Sequence, residues 1–300
     1  MSIAVFLRPR SWRFVRKPIK IRLPTTRVYN TTSNILGKIV AIANQKGGVG
    51  KTTTAINMGA CLAILEKKIL LVDADPQANS TSGLGIETIE GQATIYDCMI
   101  NGVSPTEAIL PTQTPNLYIL PSHIDLVGAE LELVPRMRRE NILQGVLDKV
   151  RDDYDYILID CMPSLGLLAV NALTAADAVL IPIQTEIYAL EGLQKLKNTI
   201  TLVREHLNPK LKIEGIVMTM YDSRLRLANM ILEEVRQNIT DPLYQTIIHR
   251  NSKISESPSM KAPVIMYDAA STGAMNFMQL ALEFLKRNND EVSPDKKRKT

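Results

Sequence analysis

The stretch NQKGGVGKTT, Asn44 to Thr53, constrains the fold more than any other part of the chain. It follows the β-branched apolar run KIVAIAN (Lys38 to Asn44) and precedes a helical pattern through Ile56, Cys61, Leu62 and Leu65. A strand, a glycine-rich turn and a helix starting at Lys51 gather backbone N–H groups and the positive end of the helix around one point, a cradle for polyphosphate. Glycine at 47, 48 and 50 lets the backbone approach oxygen atoms where a Cβ would collide. In such a loop Lys51 would lie against the β- and γ-phosphates, and the Thr52 hydroxyl would ligate Mg²⁺. The strict spacing GxxxxGK[ST] is not met, because Gln45 occupies the place of its first glycine and Lys46 comes next. One lysine suffices for the terminal phosphates, so Lys46 needs a separate explanation.

Beyond the loop the chain alternates. KILLVDAD (Lys68 to Asp75) and YDYILID (Tyr154 to Asp160) are apolar runs that end in acid, and AVLIPI (Ala178 to Ile183), IEGIVMTM (Ile213 to Met220) and LYQTII (Leu243 to Ile248) follow. Continuous apolar runs of this kind fit parallel strands buried on both faces, with their carboxyl ends at a site. Amphipathic helices are expected between them, over Ala189 to Leu207 and Leu225 to Ile239, and a last one capped at Ser271 or Thr272. That last helix should carry Met275, Met278, Leu282 and Leu285, with Phe277, Leu280, Ala281 and Phe284, along its apolar side. Strand and helix alternating in this way predict an α/β fold, a doubly wound, mainly parallel sheet with helices on both faces.

Charge divides the chain. Residues 1–37 hold eight Arg and Lys and no acid, a charge of +8 against +4 for all 300 residues, so residues 38–300 are net negative. An acid-free segment rich in Arg, Ser and Thr reads as a transit peptide, as a basic arm for nucleic acid or anionic lipid, or as sequence upstream of the true start. The expectation is a disordered extension over 1–37, one domain over 38–288, and a polar disordered tail over 289–300. Cys61, Cys98 and Cys161 are too widely spaced for a disulfide framework or a CxxC knuckle, which suits a reducing cytosol. His123, His206 and His249 show no HExxH or other zinc-binding spacing. No run of 18 or more apolar residues is present, so no transmembrane segment is expected.

With these residues in view, KGGVGKTT resembles the deviant Walker A motif of the ParA/MinD family of P-loop ATPases. The match continues in order through LLVDADPQANSTSGLG, YDYILIDCMPSLGLLAVNAL, EIYALEGLQKL, GIVMTMYDSR and SESPS, so nearly all of residues 38 to 286 is covered. The chromosome-partitioning, Soj-type members are the most similar in motif. The resemblance implies ATP with Mg²⁺ as the ligand, held by Lys46, Gly47, Gly48, Val49, Gly50, Lys51, Thr52 and Thr53. It also implies that Lys46 reaches the ATP of a second subunit, so that each hydrolytic site is completed on dimerisation. A cation arriving that way would neutralise charge on the transferring phosphoryl group. By the same resemblance, Asp73 and Asp75 belong to switch I, with Asp75 placing the attacking water, and Asp160 is the Walker B-like acid that holds Mg²⁺ with Thr52. The family usually carries two prolines after that acid and its neighbour, whereas here Met162 precedes Pro163.

The resemblance further implies a homodimer that binds double-stranded DNA nonspecifically in its ATP state and is stimulated by a ParB-like partner, in a nucleoid-associated cytoplasmic location. Arg224, with Arg226 beside it, Arg250 and Lys253 are the candidate phosphate contacts. Three other readings share the loop. A MinD-like membrane-cycling ATPase would end in a basic amphipathic helix, where this chain ends in NNDEVSPDKKRKT. A nitrogenase-type iron protein would need two cluster-binding cysteines per subunit, a context that Cys98 and Cys161 lack. A ParA-like positioner of a protein cargo shares every motif quoted above.

Overall fold

The computed structural model describes residues 37–187 and 189–290, and the backbone alone of Ser2–Val5 and Ile19–Arg22, which pair antiparallel. The remainder of 1–36, residue 188 and all of 291–300 lie outside the described residues, and most of the expected disordered extension and tail lies there with them.

Eight strands form one sheet: β1 (Lys38–Ile42), β2 (Ile69–Ala74), β3 (Leu110–Pro111), β4 (Leu117–Leu120), β5 (Tyr156–Cys161), β6 (Ala178–Gln184), β7 (Lys212–Tyr221) and β8 (Leu243–His249). Their order is β8-β7-β6-β1-β5-β2-β4-β3, parallel throughout except for the short edge strand β3. The strand that feeds the glycine loop therefore sits between β5 and β6. The main helices are α1 (Lys51–Ile64), α2 (Asn79–Gly83), α3 (Leu126–Glu132), α4 (Leu167–Ala175), α5 (Ala189–His206), α6 (Arg226–Asn238) and α7 (Thr272–Arg287).

Alternation along β1 divides the core. Ile39 and Ala41 belong to an apolar cluster with α4, α5 and α6, whereas Val40 and Ile42 belong to a second cluster with α1 and α7. Successive side chains point to opposite faces of a strand, so a run apolar at every position needs a helical layer on each side. The doubly wound, mainly parallel sheet predicted from the alternation is the fold observed.

The last helix begins as expected, with Ser271 Oγ accepting from the Ala274 N–H at 3.2 Å. An N-cap of this type contributes about 1 kcal/mol. Met275 departs from its expected place. It is half exposed, while Phe277, Met278, Leu280, Ala281, Phe284 and Leu285 are buried. About three turns of apolar sequence set the stripe, and the periodicity does not resolve a residue at its margin. Asp290, beyond that helix, still accepts from Tyr156 Oη at 2.8 Å. Among the described residues, no helix is long and apolar enough to cross a membrane.

Candidate nucleotide site

The parallel strands β1, β2, β5, β6 and β7 bring their carboxyl ends to one edge, and the loop 44–50 lies across it. Gly48 (φ 76°) and Gly50 (φ 86°) adopt the left-handed region that favours glycine, and Gly50 is the residue from which α1 starts. Neighbours hold the loop from both sides. Asn44 Nδ2 donates to the Pro182 carbonyl at 2.7 Å while Asn44 Oδ1 accepts from the Lys46 N–H at 3.0 Å. The buried hydroxyl of Thr219 donates to the Val49 carbonyl at 2.8 Å. Lys51 is buried, and its Nζ donates to the Lys46 carbonyl at 3.2 Å. Burial lowers the Lys51 pKa, opposed in part by the carboxylate of Asp160.

Register explains the acids. In the parallel pairing of β2 with β5, Asp73 stands directly opposite Asp160, and both are fully buried. Burial pushes the Asp73 carboxyl well above its ordinary range, and the facing Asp160 adds to the rise. Burial likewise raises Asp160, with hydroxyl groups and Lys51 acting against it. Asp73 is engaged at both oxygens, because its Oδ2 accepts from the Thr81 N–H at 2.8 Å and from Thr81 Oγ1 at 2.7 Å while its Oδ1 accepts from the Asp75 N–H at 3.3 Å. It ties α2 to the sheet, which is a positioning task.

Asp160 differs in one atom. Its Oδ2 accepts from Ser80 Oγ at 2.8 Å, whereas its Oδ1 is buried with no hydrogen-bond partner. The Thr52 hydroxyl lies near enough to favour the charged form without closing a hydrogen bond to Oδ1. A buried carboxylate oxygen left unpaired is costly, and a hard cation between Thr52 and Asp160 would satisfy it. These residues fit Mg²⁺, which takes few protein ligands and shares the rest with phosphate oxygens and water. Asp75 stands one residue past β2, with Oδ1 accepting from the Gln77 N–H at 2.9 Å. Ala78, three residues beyond Asp75 at φ 51°, holds the left-handed conformation at the start of α2.

Next to Thr52 and Thr53 opens a cavity of about 460 Å³, lined by Asn57, Asn79, Ser82, Pro258 and Lys261 among others. Its position at the first turn of α1 fits the nucleoside of a triphosphate held by the loop. Sequence reasoning gave a ligand-binding role to none of these lining residues apart from Thr52 and Thr53. Ser80, Asn44, Asn57 and Glu186 were missed as well. SESPS was matched as a motif, and its Ser257 and Pro258 line this cavity, but a matched motif gave them no role. Lys46, the second lysine, lies at the mouth of the loop, where its Nζ forms an ion pair with Glu186 in the segment after β6. Both side chains are partly exposed.

The basic candidates fall into two groups. Arg224, after β7, forms a bidentate pair with Asp222 at 2.9 and 2.7 Å, and Arg250, after the neighbouring β8, lies close enough to help hold the Asp222 carboxyl low. The Arg224 pair is the main cause, bringing Asp222 down to about 2. Parallel pairing of His249 with Tyr221 is what places the two arginines together. Lys253 is engaged elsewhere, 2.8 Å from Glu256 and over the Tyr267 ring.

A central strand, a left-handed glycine loop, a buried lysine at the head of a helix and a metal-ready acid on the adjacent strand define a P-loop nucleoside triphosphatase. Comparison with known proteins narrows this class. A family model described as an AAA domain matches residues 37–213. The sporulation initiation inhibitor protein Soj of Bacillus subtilis is 52% identical over 248 residues, covering 83% of this chain and 98% of the relative. The chromosome partitioning protein ParA of Myxococcus xanthus is 50% identical, covering 84% and 89%. Among solved structures, the Mycobacterium smegmatis cobyrinic acid a,c-diamide synthase with bound ADP and magnesium aligns with a TM-score of 0.74 at 34% identity, over 86% of this chain and 98% of that one. The cell division ATPase MinD of Pyrococcus furiosus aligns with a TM-score of 0.69 at 28% identity, over 83% and 99%. The chain belongs to the ParA/MinD-type family of P-loop ATPases.

Proposed function

We propose that this ATPase is a partitioning switch that pairs with a second copy when ATP and Mg²⁺ are bound, binds duplex DNA without sequence preference in that state, and lets go after hydrolysis stimulated by a ParB-like protein. The observation that carries the reading is the division of labour between two lysines. Lys51 is buried behind the loop and fills the role an ordinary P-loop requires, whereas Lys46 is partly exposed at the mouth of the site and held by a surface carboxylate. A cation so placed can serve a phosphate presented by another molecule once the Glu186 contact opens. The name of the Myxococcus xanthus relative, a chromosome partitioning protein, supports the partitioning role.

Within one chain, backbone N–H groups of the loop and the Lys51 ammonium receive the β- and γ-phosphates. Thr52 and Asp160 would hold Mg²⁺, which when bound withdraws charge from the phosphate oxygens and fixes their geometry. Asp75 accepts a hydrogen bond from the attacking water and orients it. Lys46 of the second copy neutralises charge that develops on the transferring group, so turnover follows pairing.

The deciding experiment is sizing combined with DNA co-sedimentation in ATP, in ADP and without nucleotide. Pairing and DNA retention in ATP alone are expected. Equal DNA retention in all three conditions would refute the switch. Arg250→Ala should weaken retention on every sequence alike and reduce its salt dependence, because a phosphate contact carries no base readout.

A second prediction separates the lysines. Lys46→Ala should retain ATP affinity and lose partner-stimulated turnover by about 10² to 10³-fold, the cost of one preorganised cationic donor. Glu186→Gln, which releases Lys46 from its ion pair, should pair at lower protein concentration than the unaltered chain. A Lys46→Ala protein with poor ATP affinity would show instead that the lysine serves its own site.

A further inference from the structure

The surface beyond β4 carries apolar side chains that no part of the described chain covers. Leu126, Ala129 and Leu133 of α3 and its continuation are fully buried, as the inner side of a helix should be. The outer side is apolar too. Ile124 and Val127 are 54% exposed, Leu131 is 76% exposed and Val134 is 54% exposed, at spacings of three, four and three residues. That spacing puts Val127 and Leu131 on one side of α3, with Ile124 and Val134 in the turns that flank it. A contiguous exposed apolar patch on a soluble domain marks a contact surface.

The patch is wired to the nucleotide site at two points. The Ser122 N–H, at the end of β4, donates to Thr81 Oγ1 at 3.0 Å, and that hydroxyl donates to Asp73. On its other flank, Glu130 of α3 closes over Gly166 beyond β5, so tightly that a Cβ there would lie 2.2 Å from Glu130 Oε1. That carboxylate oxygen is buried without a partner. The loop that leads into α3 thus touches the segment after Asp75, and α3 itself touches the segment after Asp160.

Three observations indicate what covers the stripe. It lies on the same sheet edge as the loop that holds Lys46, because β4 runs parallel to β2 and β1. Ile187, 69% exposed beside Glu186, adds an exposed apolar side chain next to the partner of Lys46. The segment is also self-complementary in charge, with exposed Asp125 and Glu132 within the stripe and exposed Arg138 after it. A two-fold axis places one copy's acidic start against the other's basic end.

We propose that the stripe of Ile124, Val127, Leu131 and Val134 is the apolar part of the contact between two nucleotide-bound copies of this chain, each α3 lying antiparallel against its twin. The proposal rests on the reading that ATP drives pairing, and it assigns that pairing its apolar anchor and its link to the segments after Asp75 and Asp160.

The test is sedimentation velocity of the full chain with magnesium and ATPγS, as a function of protein concentration. Leu131→Asp is expected to weaken pairing at least about tenfold, as loss of an interface anchor does, while the affinity of the single chain for a fluorescent ATP analogue stays unchanged. Leu202→Asp, at a site 56% exposed on α5, provides the control and should pair as the unaltered chain does. Undiminished pairing of Leu131→Asp, or equal loss in Leu202→Asp, overturns the proposal and leaves the stripe to a different protein. Failure of the unaltered chain to pair removes the underlying reading itself, and the two failures are thereby told apart.

Discussion

Lys51→Ala is expected to leave the fold intact and nearly abolish nucleotide binding. The side chain is buried, and burial lowers its pKa, so the empty protein holds an ammonium at a cost in solvation. Its one hydrogen bond is to the carbonyl of Lys46 in the same loop. Removing it should not destabilise the nucleotide-free chain. In the unaltered protein, Mg²⁺-ATP at about a hundred times its dissociation constant stabilises the native state by about 2.7 kcal/mol, a rise in melting temperature of roughly 5–10 °C for a domain of this size. The variant should show none of that rise at the same concentration. Thermal melts with and without nucleotide measure both halves of the statement. An unchanged ligand-induced shift would take Lys51 out of the phosphate site.

Asp75→Ala separates binding from chemistry. Its carboxylate lies one residue beyond β2, at the edge where the γ-phosphate would sit, and it makes no contact with the cavity that fits the nucleoside. Binding of ATP should therefore survive, whereas turnover should fall by about 10² to 10⁴-fold, the range for a positioned proton acceptor. The ATP-bound pair should accumulate. Asp75 Oδ1 also accepts from the Gln77 N–H, so the alanine variant removes a turn contact along with the charge. Asp75→Asn keeps an acceptor for that N–H and removes the charge alone. Equal loss of turnover in both variants is expected in a single-turnover assay. Recovery in Asp75→Asn would reassign the residue to holding the turn.

The fold was legible where the physics is local. The strands β1, β2, β5, β6, β7 and β8 follow apolar runs that need cover on both faces, and the glycine loop announces itself because left-handed backbone at Gly48 and Gly50 excludes most other residues. The edge pair β3 and β4 went unread, since two and four residues carry too little periodicity, and Asn116 at φ 64° supplies the turn without a glycine. The lysine, threonine and acids of the site were legible from the loop and the strand ends. Glu186 and Ser80 were not. They meet Lys46 and Asp160 across 140 and 80 residues of chain, and only the strand order brings those positions together. The neighbourhood of Arg224 and Arg250 comes likewise from the pairing of β7 with β8, which no spacing in the sequence encodes.

The hydroxyl of Ser80 on the metal-ready carboxylate carries a thermodynamic consequence. Ser80 sits in α2, which Thr81 fastens to Asp73, so the acid that would grip the ion and the segment that carries Asp75 share one set of bonds. Reciprocity then applies. By whatever factor an ion at Asp160 firms that segment, a change that loosens the segment must weaken the ion's hold by the same factor, with no alteration to a metal ligand.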